Sequence, residues 1–157
     1  MRHQQPDFSA RRRPAYRMRS LRLPVARILW PSIRVPLEAE FHFTGVDPLV
    51  VSVELHIPEG PVVRWAISRD LLFDGTEEPS GMGDVRLWPS VVRGRRVVFM
   101  RLEVQGTACL IEMDPGQLQE WLVETFELVH PGTEFEQVDW DATVAALIEE
   151  GEQPRSI

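Results

Sequence analysis

The stretch VPLEAEFHF, residues 35–43, decides the fold. Val35, Leu37, Ala39, Phe41 and Phe43 alternate with Pro36, Glu38, Glu40 and His42. A period of two puts every apolar side chain on one face of an extended chain, so the stretch reads as a half-buried strand. The pattern continues downstream. TGVDP (44–48) is a turn, and Leu49, Val51, Val53, Leu55 and Ile57 share one face of the next run. PEGP (58–61) makes a tight connection, after which Val63, Trp65 and Ile67 begin a third strand. Upstream, Leu21–Leu29 offers a further strand, weakened by Pro24.

Further along, Ser68 is placed to cap the short helical segment RDLLFD, which Gly75 closes. TEEPSGMG (76–83) then leads into DVRLWP, RVVFMRLEV and TACLIEM, joined by VVRGR and QG, with Pro89 ending the first of these strands. Connections this short imply hairpins, hence a mainly antiparallel sheet. After Asp114-Pro115, a cap followed by proline at the first helical position, the period changes. Leu118, Trp121, Leu122, Thr125, Phe126 and Val129 recur at helical spacing, and HPGTEF breaks the run. Asp139 is placed to cap a second helix carrying Trp140, Val144, Leu147 and Ile148 and ending at Gly151. Strands first and helices last describe an α+β domain: a curved, mainly antiparallel, barrel-like sheet with two C-terminal helices.

The chain of 157 residues is long enough for one domain with a core of its own, and its 43% hydrophobic and 26% charged residues are ordinary for a globular protein. Residues 1–20 read as an Arg-rich leader expected to be disordered, 21–150 as the folded domain and 151–157 as a tail. Met18 offers an alternative start, which would leave residues 1–17 outside the native chain. All 17 basic residues are arginine, a hint of a GC-rich coding genome. The net charge of −7 conceals a split: nine arginines against Asp7 over residues 1–34, and eight arginines against 23 acids over residues 35–157. The acidic folded part argues against a nucleic-acid clamp. The basic leader could still touch nucleic acid, acidic lipid headgroups or an acidic partner. No apolar run is long enough to span a membrane, and LPVARILW is short and interrupted by Arg27, so a cytoplasmic location is expected.

Candidate chemistry is sparse. The glycines of PSGMGDVRLWPS (79–90) precede a strand, whereas a phosphate loop needs a helix N-terminus after it, so a turn with positive φ at Gly81 or Gly83 is expected. His42 and His56 fall on the polar face of the first two clear strands as candidate cross-strand neighbours. With no cysteine or acidic partner at ligand spacing they read as structural histidines, not zinc ligands. Ser68 and Ser80 lie in no nucleophile elbow, and Cys109, inside an apolar strand, reads as a buried structural thiol. Glu77-Glu78, Glu149-Glu150 and Asp139/Asp141 read as solvated faces or caps, and none singles itself out as an acid/base pair. No catalytic, cofactor or metal site is expected. Arg86 and Trp88 share one strand face, which serves either a partner or packing on a sheet covered on both sides.

Several stretches, in order over residues 35–148, resemble the SsgA-like proteins, a family of cell-division and sporulation regulators of morphologically complex actinobacteria. The resemblance is carried by VDPLVVSVELHI, by VVRWAISRDLLFDGTEEPSGMGDVRLWPS, by the helix from Leu118 to Phe126 and by PGTE. The chain departs from the family pattern in its leader, in WPSIRV and in Asp114-Pro115, where Ala-Pro is common. The resemblance implies a non-enzymatic protein at division septa, helping to position the tubulin-like GTPase FtsZ or steering septal peptidoglycan enzymes. It implies partners among the division machinery or other SsgA-like proteins, a homotrimer, and membrane contact only indirectly or through the basic leader. The fold it implies resembles that of the Whirly single-stranded-DNA-binding proteins, which makes single-stranded nucleic-acid binding the alternative function. Arg69, Asp84, Arg86 and Trp88 form the candidate partner-binding surface.

Overall fold

The computed structural model describes residues 18–30, 32–135 and 148. Its elements in chain order are β1 (Leu21–Leu29), β2 (Ile33–His42), β3 (Val50–His56), β4 (Val62–Ser68), α1 (Arg69–Gly75), β5 (Val85–Val92), β6 (Arg95–Val104), β7 (Thr107–Met113) and α2 (Pro115–Leu128). The strands form one seven-stranded antiparallel sheet in the order β4-β3-β2-β1-β7-β6-β5, curved into a half-barrel. Two meanders, β1–β4 and β5–β7, meet along the β1–β7 seam. The seam is short, pairing Ala26, Arg27 and Ile28 with Glu112, Ile111 and Leu110.

The alternation at Val35–Phe43 governs the core as expected. Leu37, Ala39, Phe41 and Phe43 are buried, as are Val51, Val53 and Leu55 of β3 on the same face. Leu87, Val98, Met100, Leu102, Ile111 and Met113 supply the other meander's share. Against this face α2 lays Leu118, Trp121, Leu122 and Thr125, with the Trp121 ring 6.2 Å from that of Phe41. Full burial of each large apolar side chain contributes about 1.5–3 kcal/mol. Met18 packs against this core, and Trp121 Nε1 donates to the Arg19 carbonyl at 2.9 Å, so the chain is tied to the domain from just before β1.

Prolines sit where the ladder is one-sided. Pro24 lies outside the three β1 residues that pair with β7, and Pro36 precedes Glu38, where β2–β3 pairing starts. Contrary to expectation, Pro89 does not end its strand: β5 runs on to Val92. Strand β5 is an edge strand, so Pro89 withholds no hydrogen bond that the sheet needs. The β5–β6 and β6–β7 hairpins turn on two residues each, Arg93-Gly94 and Gln105-Gly106, all four with positive φ. That is the type I′ geometry whose twist matches the strands.

Ser68 caps α1 as expected, its hydroxyl accepting from the Leu71 N–H at 3.3 Å, and α1 carries the chain from edge strand β4 to edge strand β5. Asp114 caps α2, accepting from Gly116 N–H at 2.8 Å. Cys109 is only partly buried, a little more exposed than the sequence implied. The anticipated helix from Asp139 through Trp140, Val144 and Leu147 to Gly151 lies outside the described residues, as do residues 1–17. Ile148 is helical and exposed.

One buried charge joins these parts. Arg69, 1% exposed at the start of α1, donates to the carbonyls of Thr125 (2.9 Å) and Val129 (2.8 Å) and to Glu134 (3.2 Å). Its guanidinium lies over the rings of Phe126 (4.4 Å) and Phe43 (5.3 Å). Backbone hydrogen bonding at Glu134 itself holds that carboxyl below its ordinary 4.5; burial opposes this, while Gly132 and Arg69 reinforce it.

Replacing Arg69 with Met leaves Glu134 and two helix-terminal carbonyls buried without their donor, and is expected to destabilise the fold by about 3–5 kcal/mol in urea unfolding. Because the folded pKa of Glu134 is depressed, its stabilisation is present above the unfolded value and is lost as pH falls through the folded one. Urea midpoints followed down through the carboxylate range should therefore decline less steeply in Glu134→Gln than in the parent. Gly81 has φ +97° and a Cβ there would collide with the Val85 carbonyl, whereas Gly83 (φ +86°) faces open space. Gly83→Ala should lose only the left-handed penalty of about 1–2 kcal/mol. Gly81→Ala should lose distinctly more, read from the same unfolding curves.

Candidate partner-binding site

The site begins at the glycine turn. Ser80 and Leu87 exchange both backbone hydrogen bonds (2.8 and 2.9 Å), folding 80–87 back on itself, and Gly81 and Gly83 both take positive φ. Strand β5 follows, not a helix, so the turn presents no ring of N–H donors to a phosphate. Met82, between the glycines, is 94% exposed. Asp84 is exposed too, while its carbonyl accepts from the Glu103 N–H at 2.9 Å and clamps the turn to β6.

The Arg93-Gly94 turn fixes the β5–β6 register, which sets Arg86 opposite Arg101 and Trp88 opposite Phe99. The two rings lie 5.8 Å apart at 35°, so the half-buried Trp88 packs on its own sheet and also borders solvent. A groove of about 700 Å³ runs between the glycine turn and this face, lined by Ser80, Gly81, Arg86, Trp88, Arg101 and Glu103 among others. Arg101 donates to Glu103 at 2.9 Å, whereas Arg86, exposed, has no ion-pair partner among the described residues. Like charges directly opposite each other raise the local positive potential. An unpaired cation beside an aromatic face and an exposed methionine suits a peptide carrying a carboxylate next to an apolar side chain.

Of the four residues singled out by the sequence, Arg86 and Trp88 line one groove, and Asp84 is exposed in the neighbouring turn without lining it. Arg69 does not join them. As the first residue of α1 it points inward under α2, and its two terminal nitrogens are taken up by the contacts described above, with Nε buried and unpaired. Sequence reasoning passed over Arg101, Phe99 and Met82. The first two were within reach, because a two-residue hairpin turn dictates which residues of β6 face Arg86 and Trp88.

The histidines form a second constellation, on the outer face of the other meander. His42 and His56 are not opposite each other. Glu40 faces Glu54, and the histidines flank that pair diagonally, His42 opposite Ser52 and His56 opposite Glu38. His42 Nε2 lies 3.5 Å from Glu40 and 3.7 Å from Glu54; His56 Nε2 lies 3.3 and 3.6 Å from the same carboxylates. Arg22 and Arg64 complete the row on β1 and β4, at 3.4 Å from Glu40 and 3.1 Å from Glu54. Burial pushes the Glu40 carboxyl up, but the Ser20 hydroxyl (2.9 Å), Arg22 and the two histidines outweigh it and hold the group below its ordinary value. The absence of acidic partners inferred from sequence is therefore corrected. The partners sit two residues before each histidine, in a Glu-x-His repeat (Glu40-Phe41-His42 and Glu54-Leu55-His56) that puts both groups on one strand face.

The nucleophile candidates raised by the sequence, Ser68, Ser80 and Cys109, have structural roles or surroundings. Ser68 caps α1, the Ser80 hydroxyl donates to the Glu78 carbonyl at 3.1 Å, and burial pushes the Cys109 thiol up, away from thiolate chemistry. No helix among the described residues is long and apolar enough to cross a membrane.

Comparison with known proteins agrees with this architecture. The family described as "Streptomyces sporulation and cell division protein, SsgA" matches residues 37–134. Among curated relatives, a sporulation-specific cell division protein SsgB from Frankia casuarinae is 34% identical over 73% of this chain and 80% of its own. The SsgB of Streptomyces coelicolor is 34% identical over 74% of this chain and 85% of its own. A solved structure described by the words "Mutations in SsgB correlate to longitudinal cell division during sporulation of Streptomyces coelicolor" superposes with a TM-score of 0.74 at 31% identity, covering 78% of this chain and 96% of that one. An SsgA-like sporulation-specific cell division protein from Thermobifida fusca superposes at 0.75 with 29% identity, covering 84% and 96%. The match to residues 37–134 takes in the strand-rich core, the glycine turn, α2 and Glu134, and the chain belongs to the SsgA family.

Proposed function

We propose that this chain is a non-enzymatic regulator of sporulation-specific cell division, acting at the septum through contacts with proteins of the division machinery. The relatives' names supply the process. The observation that supports action by contact is the groove beside the glycine turn, where the unpaired Arg86 lines the wall with Trp88, while Met82 stands exposed in the turn. A surface that offers charge and aromatic area, with the serines and Cys109 engaged elsewhere, is suited to holding a partner and has no evident means of turning over a substrate. The partner expected is a division protein with an acidic, partly apolar segment. The acidic balance of residues 35–157 weighs against the single-stranded nucleic-acid alternative.

A fluorescently tagged chain in sporulating hyphae should form septal foci; diffuse signal at every stage would overturn the septal reading. A Met82→Glu/Arg86→Glu double variant changes two exposed side chains and should alter stability by no more than about 0.5 kcal/mol at each. It is expected to lose the foci and the capture of division proteins from the same cells. Foci that persist in the double variant would remove the groove from the account while leaving the process intact.

A further inference from the structure

The Glu-x-His repeat has no role in the reading above. We propose that the outer face of β2 and β3 is a zinc site, in which Glu40, His42 and Glu54 hold one ion and His56, facing the same two carboxylates from the other side, supports them.

Donor convergence comes first. One ligand atom each from Glu40, His42 and Glu54 lies within 4.8 Å of the others. The carboxylates are fixed in register, Glu40 directly opposite Glu54, by ladders that continue into β1 and β4. Like charges facing each other on adjacent strands are unfavourable unless something positive sits with them. The flanking arginines answer only part of this. Arg64 Nε takes the Glu54 Oε1 atom, and Ser20 and Arg22 lie against Glu40. The Glu54 Oε2 atom is approached by the two imidazoles instead.

The imidazole nitrogens carry the argument further. Nε2 of His42 and Nε2 of His56 are both shut off from water, and neither is aligned for a hydrogen bond of good geometry, although His56 stands 3.3 Å from Glu40 and helps to hold its carboxyl down. Each nevertheless sits 3.3–3.7 Å from carboxylate oxygens. A buried polar atom left unpaired costs about 1–3 kcal/mol. A cation held by Glu40, Glu54 and His42 gives the first of these atoms a partner and neutralises the carboxylate pair that the second faces. Zinc bonds of about 2.0–2.2 Å place tetrahedral neighbours about 3.3–3.6 Å apart, close to the 3.5 and 3.7 Å that separate His42 Nε2 from Glu40 and Glu54. Imidazole and carboxylate without thiolate is a donor set that zinc accepts and that calcium and magnesium, which prefer oxygen alone, do not. Arg64 already holds the outer oxygen of Glu54, the orienting role that partners of ligating carboxylates play in metal sites, while Ser20 shares with His42 the Oε1 atom of Glu40. With two arginines beside it, the site is expected to bind at micromolar rather than picomolar strength.

The experiment uses the full chain, stripped with chelator and titrated with Zn²⁺ by calorimetry, with the thermal midpoint as a second readout. One equivalent should bind and raise the midpoint, and Mg²⁺ should do neither. His42→Gln, His56→Gln and Glu54→Gln should each weaken binding by at least about tenfold, and Cys109→Ser should change nothing. His42 and His56 are partly exposed, so the histidine variants keep the test valid if Glu54→Gln unfolds. No saturable binding at millimolar zinc, or binding that survives His42→Gln/His56→Gln, would overturn the site and leave an ion-pair network. Loss of binding in Cys109→Ser would overturn it equally, by moving the ion elsewhere.

Discussion

The fold depends on one guanidinium out of water. A fully buried arginine is tolerable only when its charge is met, and through its terminal nitrogens Arg69 engages the carbonyls of Thr125 and Val129 and the carboxylate of Glu134, leaving only Nε without a partner. The two carbonyls belong to the end of α2, where the helix dipole is negative and where the last turn carries no basic residue of its own. Arg69 is thus the counter-charge that α2 lacks, delivered from another helix. Phe43 from the end of β2 and Phe126 from α2 lie against the same cation, so sheet, both helices and the 130–134 loop converge on it. This explains why the Arg-x-Leu-Leu and Pro-Gly-Thr-Glu stretches, far apart in sequence, belong together: each supplies half of an ion pair.

The outer face of the sheet shows two opposite electrostatic arrangements. Across β1–β4, Arg22, Glu40, Glu54 and Arg64 stand in one row, with opposite charges at both ends and like charges only at the centre. Across β5–β6, Arg86 and Arg101 stand opposite each other and only Arg101 has an acid beside it. The first arrangement leaves its central carboxylates to the two imidazoles and whatever cation joins them, whereas the second gains from an external carboxylate. Two-residue turns and strict register place each charge, so differences between halves of one continuous sheet follow from which residue type falls at each paired position.

Much of this was legible. Alternation over 35–43 and 50–56 identified the strands and their buried face, the Ser68 and Asp114 caps located both helix starts, and PSGMGD was recognisable as a turn. What escaped depended on partners distant in the chain. Pro89 looked like a strand end because position in the sheet order, not local sequence, decides whether its absent N–H matters. Arg69 looked like a surface charge because nothing nearby reveals that the end of α2 will cover it. The acids around His42 and His56 were missed by searching for metal-ligand spacings typical of helices and loops. On a strand the relevant spacing is two, and the rest of the set arrives from the neighbouring strand.

The shortness of the β1–β7 seam has a kinetic consequence. Within each meander every strand pairs with its sequence neighbour, so closing each hairpin loses little chain entropy. The seam joins residues near the beginning of the domain to residues near its end, and it offers only three ladder positions for doing so. Arg34 reaches Glu112 at 2.7 Å beside it, one cross-link between meanders that would otherwise meet through few backbone bonds. Contact order therefore favours the two meanders forming first and the seam joining them afterwards. The order of assembly is written in the uneven length of its ladders.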